Sequence, residues 1–441
     1  MDNRDFLVNI PSNWEIVRLK HVVATKITDG PHETPILLDS GIPFISAEAI
    51  KNETIDFSKK RGFISPKDHI KFSKKCSPKR NDIFIIKSGA TTGNIAFVET
   101  DEIFDIWSPL ALIRADKRII RPKYLFYIIG SDLFKNQIKI SWSFGTQQNI
   151  GMGVIENLFI PIPEYKIQKI INEYLEYKLL EVEPLISSKV KLVILLKEQR
   201  QAMITEAITK GLNPNAEMKD SGVKWIGEIP KHWEVTKIKH ISNVKRGASP
   251  RPIDDPIYFD DNGKYSWVRI SDVTNSKKYL LLTREKLSKL GASKSVKRHP
   301  NDIFVSIAGT VGKPCITKIE CCIHDGFVYF ENLKIEKEYL YYIFDAEQCY
   351  KGLGKMGTQL NLNTETIGGI VIPKPPKEEM DDIVNAMKAF EDNFSELYGL
   401  YQKQIAKLKE YRQSLIHEAL TGKIPIEEME IYLQEREKNG I

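Results

Sequence analysis

Between Phe394 and Leu415, large or amphipathic side chains recur at alternating steps of three and four: Phe394, Leu397, Tyr401, Gln404, Leu408, Tyr411 and Leu415. That is a heptad seam, the signature of a helix burying one stripe against another helix. Only Gly399 interrupts 378–421, and no Pro does; at 1.5 Å per residue the stretch predicts a rod of roughly 64 Å. An earlier segment carries Leu192, Leu196, Gln199 and Met203 in the same frame. Each seam contains one Gln, expected to help fix register. Pro184 lies within the earlier segment, so a kink or break is expected there, with the long helix resuming at Leu185. Gly211 and Gly422 stand just past the two helix ends, where C-cap chemistry favours Gly. Two such seams predict an antiparallel pair with a folded domain toward each end and a pseudo-twofold axis between. The alternative is that each helix packs only on its own domain.

Away from the seams the apolar runs shorten to strand length. "NDIFIIKSGATTGNIAFVE" (Asn81–Glu99) and "NDIFVSIAGTVGKPCITKIE" (Asn301–Glu320) both read as a β-branched strand, a Gly-Thr turn and a second strand, which is a hairpin. Their likeness is part of a longer repeat. "IPSNWEIVRLKHV" (Ile10–Val22) matches "IPKHWEVTKIKHI" (Ile229–Ile241), and "GTQQNI" (Gly145–Ile150) matches "GTQLNL" (Gly357–Leu362). Each Gly-Thr-Gln loop is followed by an aliphatic strand ending in Pro, "IENLFIPIP" and "IGGIVIPKPP". "LKEQRQAMITEAITKG" (Leu196–Gly211) then matches "LKEYRQSLIHEALTGK" (Leu408–Lys423). Matches in one fixed order mean a duplicated unit, a domain of roughly 160 residues followed by a helical stretch of roughly 45. Trp14 and Trp233 mark the domain starts and are expected in the cores. Strands mixed with a few helices predict an α+β chain of two repeated mixed α/β domains. The boundaries fall at 1–163 for the first domain, 164–212 for the first spacer helix, 213–376 for the second domain, 377–424 for the second spacer helix and 425–441 for a C-terminal tail.

A length of 441 residues fits two or more cores. No apolar run approaches the roughly 20 residues that span a bilayer, and "MDNRDFLVNIPSNW" lacks the basic start and apolar core of a signal peptide. No membrane partner is expected, and the cytoplasm is the expected compartment. The five cysteines, Cys76, Cys315, Cys321, Cys322 and Cys349, show no C-x-x-C spacing and are expected to be unpaired thiols. A net charge of +6 is modest, but the second domain gathers 24 Lys and Arg against 18 Asp and Glu across 220–376.

Catalytic motifs are missing. "GLGKMG" (Gly352–Gly357) fits a dinucleotide fingerprint only in letters, because it follows a helical pattern and opens no helix. "AGTVGKP" (Ala308–Pro314) has too few residues between its glycines for a phosphate loop, and no Ser or Thr follows Lys313. The chain contains no metalloprotease, nucleophile-elbow or adenine-methyltransferase motif, no metal site is expected, and a non-enzyme is favoured.

What remains is binding chemistry. A basic run precedes each hairpin at the same place in the repeat, "KFSKKCSPKR" (Lys71–Arg80) and "REKLSKLGASKSVKRH" (Arg284–His299). Lys and Arg on one face neutralise backbone phosphates. The candidates here are Lys74, Lys75, Lys79 and Arg80, and in the second half Lys294, Lys297 and Arg298. Polar loops after the opening strand add Lys26, Thr28 and His32 from "KITDGPHETP", and Lys245, Arg246 and Arg251 from "VKRGASPRPID". The hairpin turns add Lys87, Thr91 and Thr92, with Thr310 and Lys313 opposite. Gln147 and Gln359 of the Gly-Thr-Gln loops, with Arg269 and Lys355, complete the set. Arg reading guanine and Gln or Asn reading adenine is the major-groove pairing; because Gln147, Asn149, Gln359 and Asn361 match across the repeat, they point instead to a shared scaffold role. The competing reading is a structural adaptor binding proteins or glycans through its repeated domains.

These motifs together resemble the specificity (S) subunit of type I restriction-modification systems. The likeness covers essentially the whole chain and is carried by the paired "IPSNWEIVRL" and "IPKHWEVTKI" starts, "TDGPHETP", "SGIPFISAEAI", both "NDIF" hairpins, "GTQQNI" and "GTQLNLNTETI". Most distinctive are "LLKEQRQAMITEAITKGL", "LKEYRQSLIHEALTGKI" and the linker "SGVKWIGEIPKHW". The resemblance implies two target-recognition domains joined by two spacer helices in an antiparallel coiled coil. Each domain would read half of a bipartite site in double-stranded DNA, and the coiled coil would set the gap. Two methyltransferase (M) subunits would dock, flip an adenine in each half-site and methylate it at N6; restriction (R) subunits would add translocation and cleavage. S-adenosylmethionine, ATP and Mg would belong to those partners, with no cofactor and no catalytic residue in this chain.

Overall fold

The computed structural model describes residues 6–7, 10–140, 149–353 and 362–440. Two helices dominate it, α1 (Tyr165–Lys210, 46 residues) and α2 (Lys377–Leu420, 44 residues). Of the kink or break expected at Pro184, the break is absent: α1 carries Pro184 inside an unbroken helix. Proline removes one N–H and so leaves the Leu180 carbonyl without its intrahelical donor. Pro184 is exposed and Leu180 is 63% exposed, so water reaches that carbonyl and the loss is small.

The chain divides into two compact units, Met1–Val190 with Lys403–Ile441, and Lys191–Gln402. Each unit therefore takes half of each long helix. In unit 1, Leu415, Ile416, Ala419 and Leu420 from the end of α2 share a core with Ile170, Ile171, Tyr174 and Leu175 from the start of α1 and with Trp14 and Leu19. In unit 2, Ile204, Ala207 and Ile208 from the end of α1 pack with Met380, Ile383, Val384 and Met387 from the start of α2 and with Trp233. The start of one helix meets the end of the other in both units, so the pairing is antiparallel, and the alternative of helices packed only on their own domains fails.

The expected seam is kept in part. Leu415 is buried and Phe394, Tyr401, Gln404 and Leu408 are half-buried, but Leu397 and Tyr411 are exposed. On α1, Leu192, Gln199 and Met203 are exposed, while Val193, Ile204 and Ile208 are buried. The reason is the run Leu192-Val193-Ile194-Leu195-Leu196, where apolar residues at every position make every frame look hydrophobic. The frame is set by two arginines that a hydrophobic count skips. Arg200 of α1 bonds Asp345 at 2.6 Å and Glu391 of α2 at 2.5 Å. Arg412 of α2, its counterpart in the repeat, bonds Glu53 and Glu183 of α1, both at 2.5 Å. Each guanidinium ties one helix to the other and to the β-containing module of its own unit.

The modules are built alike. In unit 1, β1 (Thr28–Asp29), β2 (Ile83–Ile86), β3 (Ile95–Phe97) and β4 (Leu110–Ile113) form an antiparallel sheet in the order β1-β4-β2-β3. In unit 2, β5 (Asn243–Arg246), β6 (Tyr279–Leu280), β7 (Ile303–Ser306), β8 (Pro314–Thr317) and β9 (Phe327–Glu331) follow the order β5-β9-β7-β8-β6, with β6 parallel to β8. The hairpins opened by Asn-Asp-Ile-Phe are β2–β3 and β7–β8. The motif has a local cause. Asn81 (φ 75°) and Asn301 (φ 72°) take the left-handed conformation that Asn tolerates. Asp82 and Asp302 then accept the backbone N–H of Lys79 and His299, closing the turn that launches each strand.

The repeated Ile-Pro-x-x-Trp phrase receives a helix end. A Cβ on Gly211 (φ +73°), just past α1, would sit 3.0 Å from Trp233, and one on Gly422 (φ +69°), just past α2, would sit 2.4 Å from Pro11. Glycine is needed there for both conformation and space. The stretch expected as a tail is instead a helix, α3 (Ile426–Asn439). Met429 of α3 is fully buried, Tyr432 lies under the Lys178 ammonium, and Arg436 bonds Glu181 at 2.7 Å. Among the described residues no helix is long and apolar enough to cross a membrane.

The clamps make a graded prediction. The carboxylates of Arg200 are about one-fifth exposed, whereas Glu183, a partner of Arg412, is 48% exposed. Arg200→Ala should therefore cost more, about 3 kcal/mol, than Arg412→Ala, about 2 kcal/mol, because it strands carboxylates further from water. Denaturant unfolding of the two variants checks the order, and an equal or reversed order refutes it.

Candidate nucleic-acid interface

In unit 1 the fold collects residues that are far apart in sequence. Lys26 and Thr28 stand at β1, Lys75 and Lys79 in the loop leading into the β2–β3 hairpin, and Arg114 just past β4. All of them, with Thr25, Ser73 and Ser77, line one cavity of about 550 Å³. Beside it lies Asp29, buried at the end of β1. Lys75 approaches its carboxylate at 2.5 Å, Lys87 at 2.6 Å and His32 at 3.2 Å. Burial alone would raise the Asp29 carboxyl, but the ammonium groups of Lys75 and Lys87 outweigh that and hold it below its ordinary value. Two of the expected phosphate contacts are thus already spent on an internal carboxylate.

The other candidates of unit 1 divide the same way. Arg80 pairs with Asp101 at 2.7 Å, and the Thr92 hydroxyl donates to the Gly89 carbonyl at 2.6 Å. Thr91 is exposed in that turn. Lys26, Lys74 and Lys79 are exposed and have no carboxylate partner among the described residues.

In unit 2 most candidates are compensated. Lys245 bonds Glu331 at 2.7 Å, and Arg269 bonds Glu285 at 2.7 Å. Arg251 reaches the Asp325 carboxylate at 3.0 Å, and Arg246 donates to the Asp325 carbonyl at 2.5 Å. Arg298 sits 3.7 Å from Asp302 and 4.2 Å above the Tyr329 ring. Lys313 donates to the carbonyls of Thr274 and Ser276, both at 2.8 Å, and burial lowers its pKa. The Thr310 hydroxyl lies 2.7 Å from that of Thr274. Lys297 rests 5.0 Å from the Tyr265 ring, and Lys294 is exposed; neither has a carboxylate partner among the described residues. Gln147, Lys355, Gln359 and Asn361 lie outside the described residues. The exit of the first Gly-Thr-Gln loop is anchored to the hairpin, with Asn149 bridging Ser88 and the Ile150 amide donating to the Lys87 carbonyl at 2.7 Å.

Sequence reasoning missed Asp29, the organiser of unit 1, although it stands within the quoted loop; nothing in the letters says that an acid there is buried. It also missed Arg114, which takes Asp82 in bonds of 2.7 and 2.6 Å, and Arg61, whose guanidinium lies 3.9 Å from the Trp107 ring. Chemically the surface can hold a polyanion. The five thiols are buried, with Cys76 pushed up to about 12 by desolvation, which removes them as nucleophiles. Among the described residues no group of three or more His, Cys, Asp or Glu could hold a metal.

A family model described as the type I restriction modification DNA specificity domain matches residues 11–183 and again 230–408. The chain is 26% identical over 449 residues to the type I restriction enzyme MjaVIII specificity subunit of Methanocaldococcus jannaschii, covering 96% of this chain and 95% of that one. It is 22% identical to the EcoKI specificity subunit of Escherichia coli strain K12, covering 88% and 83%. A solved chain described with the complex assembly and conformational transition of the type I R-M system superposes with a TM-score of 0.66 at 17% identity, over 94% of this chain and 99% of that chain, and so shares the fold.

The depressed pKa of Asp29 sets a pH dependence. A carboxylate whose folded pKa is lowered contributes fully above its unfolded value, about 3.9, and loses the contribution as the pH falls through the folded one. Asp29→Asn should cost roughly 2–4 kcal/mol at pH 7, because it leaves two lysines facing a neutral amide. The gap between variant and wild type should close on acidification below pH ~4. Thermal unfolding from pH 7 to 3 tests this, and a gap that stays constant with pH contradicts it.

Proposed function

The chain belongs to the type I restriction modification DNA specificity family, and from that premise we propose that it is the subunit through which a type I restriction-modification complex selects its DNA sequence. The observation carrying this reading is that the family match falls twice, at 11–183 and 230–408, on the two copies of one cationic module joined to antiparallel helices. Residues 1–163 and 213–376 act as target-recognition domains, each reading half of a bipartite duplex site, and 164–212 and 377–424 act as the spacer. Lys26, Lys74 and Lys79 in one module, with Lys294 and Lys297 in the other, supply sequence-independent phosphate contacts.

The chain itself is non-catalytic. It works with two methyltransferase subunits that modify adenine at N6 and with restriction subunits that cleave. S-adenosylmethionine, ATP and Mg serve those partners. An adaptor for proteins or glycans would leave the duplicated set of unbalanced lysines without a purpose.

Two measurements test the reading. Methylome sequencing of a host with and without the gene should reveal one bipartite adenine-methylated motif that depends on it. Inserting one helical turn into both helices between the arginine clamps, after Leu196 and after Leu400, lengthens the spacer by about 6 Å. The gap should then grow by about two base pairs while both half-sites stay the same. An unchanged gap in a complex that still methylates would refute the spacer assignment.

A further inference from the structure

We propose that unit 1 carries a seat for a single backbone phosphate that unit 2 has closed with its own side chains, so that the two modules grip DNA unequally. The proposal rests on the DNA-specificity reading and adds to it where one contact is made and where its counterpart is missing.

The argument starts from charge balance inside the 550 Å³ cavity of unit 1. Of its four cations, two are committed. Arg114 gives two bonds to Asp82 and a third, 2.8 Å, to the Ser77 carbonyl. Lys75 is held by Asp29 at 2.5 Å and by the Gly30 carbonyl at 3.0 Å. Lys26 and Lys79 remain, on opposite sides in sequence but lining the same cavity, with no carboxylate partner among the described residues. Hydroxyls of Thr25 and Ser77 share the wall with them. Two uncompensated ammonium groups with hydroxyl donors around a concavity form a receptor for one compact oxyanion. At neutral pH a phosphodiester meets that description, and the volume admits a phosphate with its sugar. The larger cleft of unit 2, about 1320 Å³, does not compete as an anion site, because Asp272, Asp345, Glu347, Glu391 and Asp392 line it together with its lysines.

Strand register identifies the matching place in unit 2. Thr28 of β1 faces Leu112 of β4, and Lys245 of β5 faces Tyr329 of β9. Two residues beyond Leu112 comes Arg114; two beyond Tyr329 comes Glu331. The sign of the charge is inverted. Glu331 takes Lys245 at 2.7 Å and lies 3.3 Å from the Tyr329 hydroxyl, and the Arg298 guanidinium covers the Tyr329 ring. Asp302, which corresponds to Asp82, is served by Arg298 and Lys337 instead of by the residue two beyond Tyr329. The protein's own carboxylate occupies the role that a phosphate would fill.

The test is the salt dependence of duplex binding by the full chain in its complex with the methyltransferase subunits. Each phosphate contact contributes about 0.9 to the slope of log K against log salt. Lys26→Ala/Lys79→Ala should lower the slope by about one, weaken target and random duplexes by the same factor, about tenfold at low salt, and leave the melting temperature in place. Lys245→Ala should leave the slope unchanged, because its charge is already balanced. A target duplex carrying neutral methylphosphonate linkages one at a time should contain a linkage whose substitution weakens the wild type but not the double variant. An unchanged slope in the double variant, or an equal drop in Lys245→Ala, overturns the proposal. Inorganic phosphate that binds the wild type at concentrations too low to compete with duplex, with no slope change in the double variant, assigns the cavity to a free anion and overturns it as well. Loss of discrimination between target and random duplex by the wild-type complex would sink the specificity reading instead, and that result is separate from the slope.

Discussion

A guanidinium taken out of water must find carboxylates, and this chain imposes that requirement twice, at equivalent positions. Arg200 and Arg412 stand in "LKEQRQ" and "LKEYRQ", toward the C-terminal end of each long helix. Their side chains are only 18% and 13% exposed. Each is bonded by one carboxylate from the opposite helix and one from the neighbouring module. Such a pair adds little net stability over an apolar contact, but an unpaired one is strongly unfavourable, so the geometry is specified even where the energy is not. The helices slide or rotate past each other only by breaking these bonds. The seam therefore follows the arginines, with Val193 and Ile405 inward and Leu192, Leu397 and Tyr411 outward.

That constraint explains which parts of the structure were legible in the sequence. Features with a local cause were legible. Asn in a left-handed turn and Asp capping it produce the Asn-Asp-Ile-Phe hairpins. A bulky Ile-Pro-x-x-Trp phrase opposite a glycine produces the seat for a helix end. A duplicated order of motifs produces two like modules. Features that depend on a distant partner were not. The run from Leu192 to Leu196 fits any helical frame, and only Asp345 and Glu391 decide which one. Pro184 signals a break in any isolated helix, but exposure of the neighbouring turn lets the helix continue. The last residues, rich in Glu and Lys, read as a tail because one buried Met and two aromatic contacts make too weak a pattern to recognise.

The candidate site shows the same division more sharply. The basic runs are read from the letters as charge, but the letters do not show which charges are already balanced. Lys75 and Lys87 are paired with Asp29, Lys245 with Glu331 and Arg251 with Asp325. The members of these pairs lie 46, 58, 86 and 74 positions apart along the chain. No window of sequence holds both members. Net charge describes the surface only after such internal pairs are removed.

Removing them leaves two modules with one scaffold and different surfaces. The hairpin, its Asn-Asp turn and the tryptophan at the helix end are retained in both units, because each satisfies a backbone or packing demand that does not depend on the ligand. The register-matched position is Arg114, just past β4, in one unit and Glu331, the last residue of β9, in the other, and the acid of the hairpin turn finds a different arginine in each. A duplicated reader that recognised the same sequence twice would have no reason to invert a charge at a register-matched position. Inversion at a register-matched position, on an otherwise shared frame, is what two modules that meet different half-sites require. The shared frame is held by packing within each module, and the side chains placed on it are free to diverge.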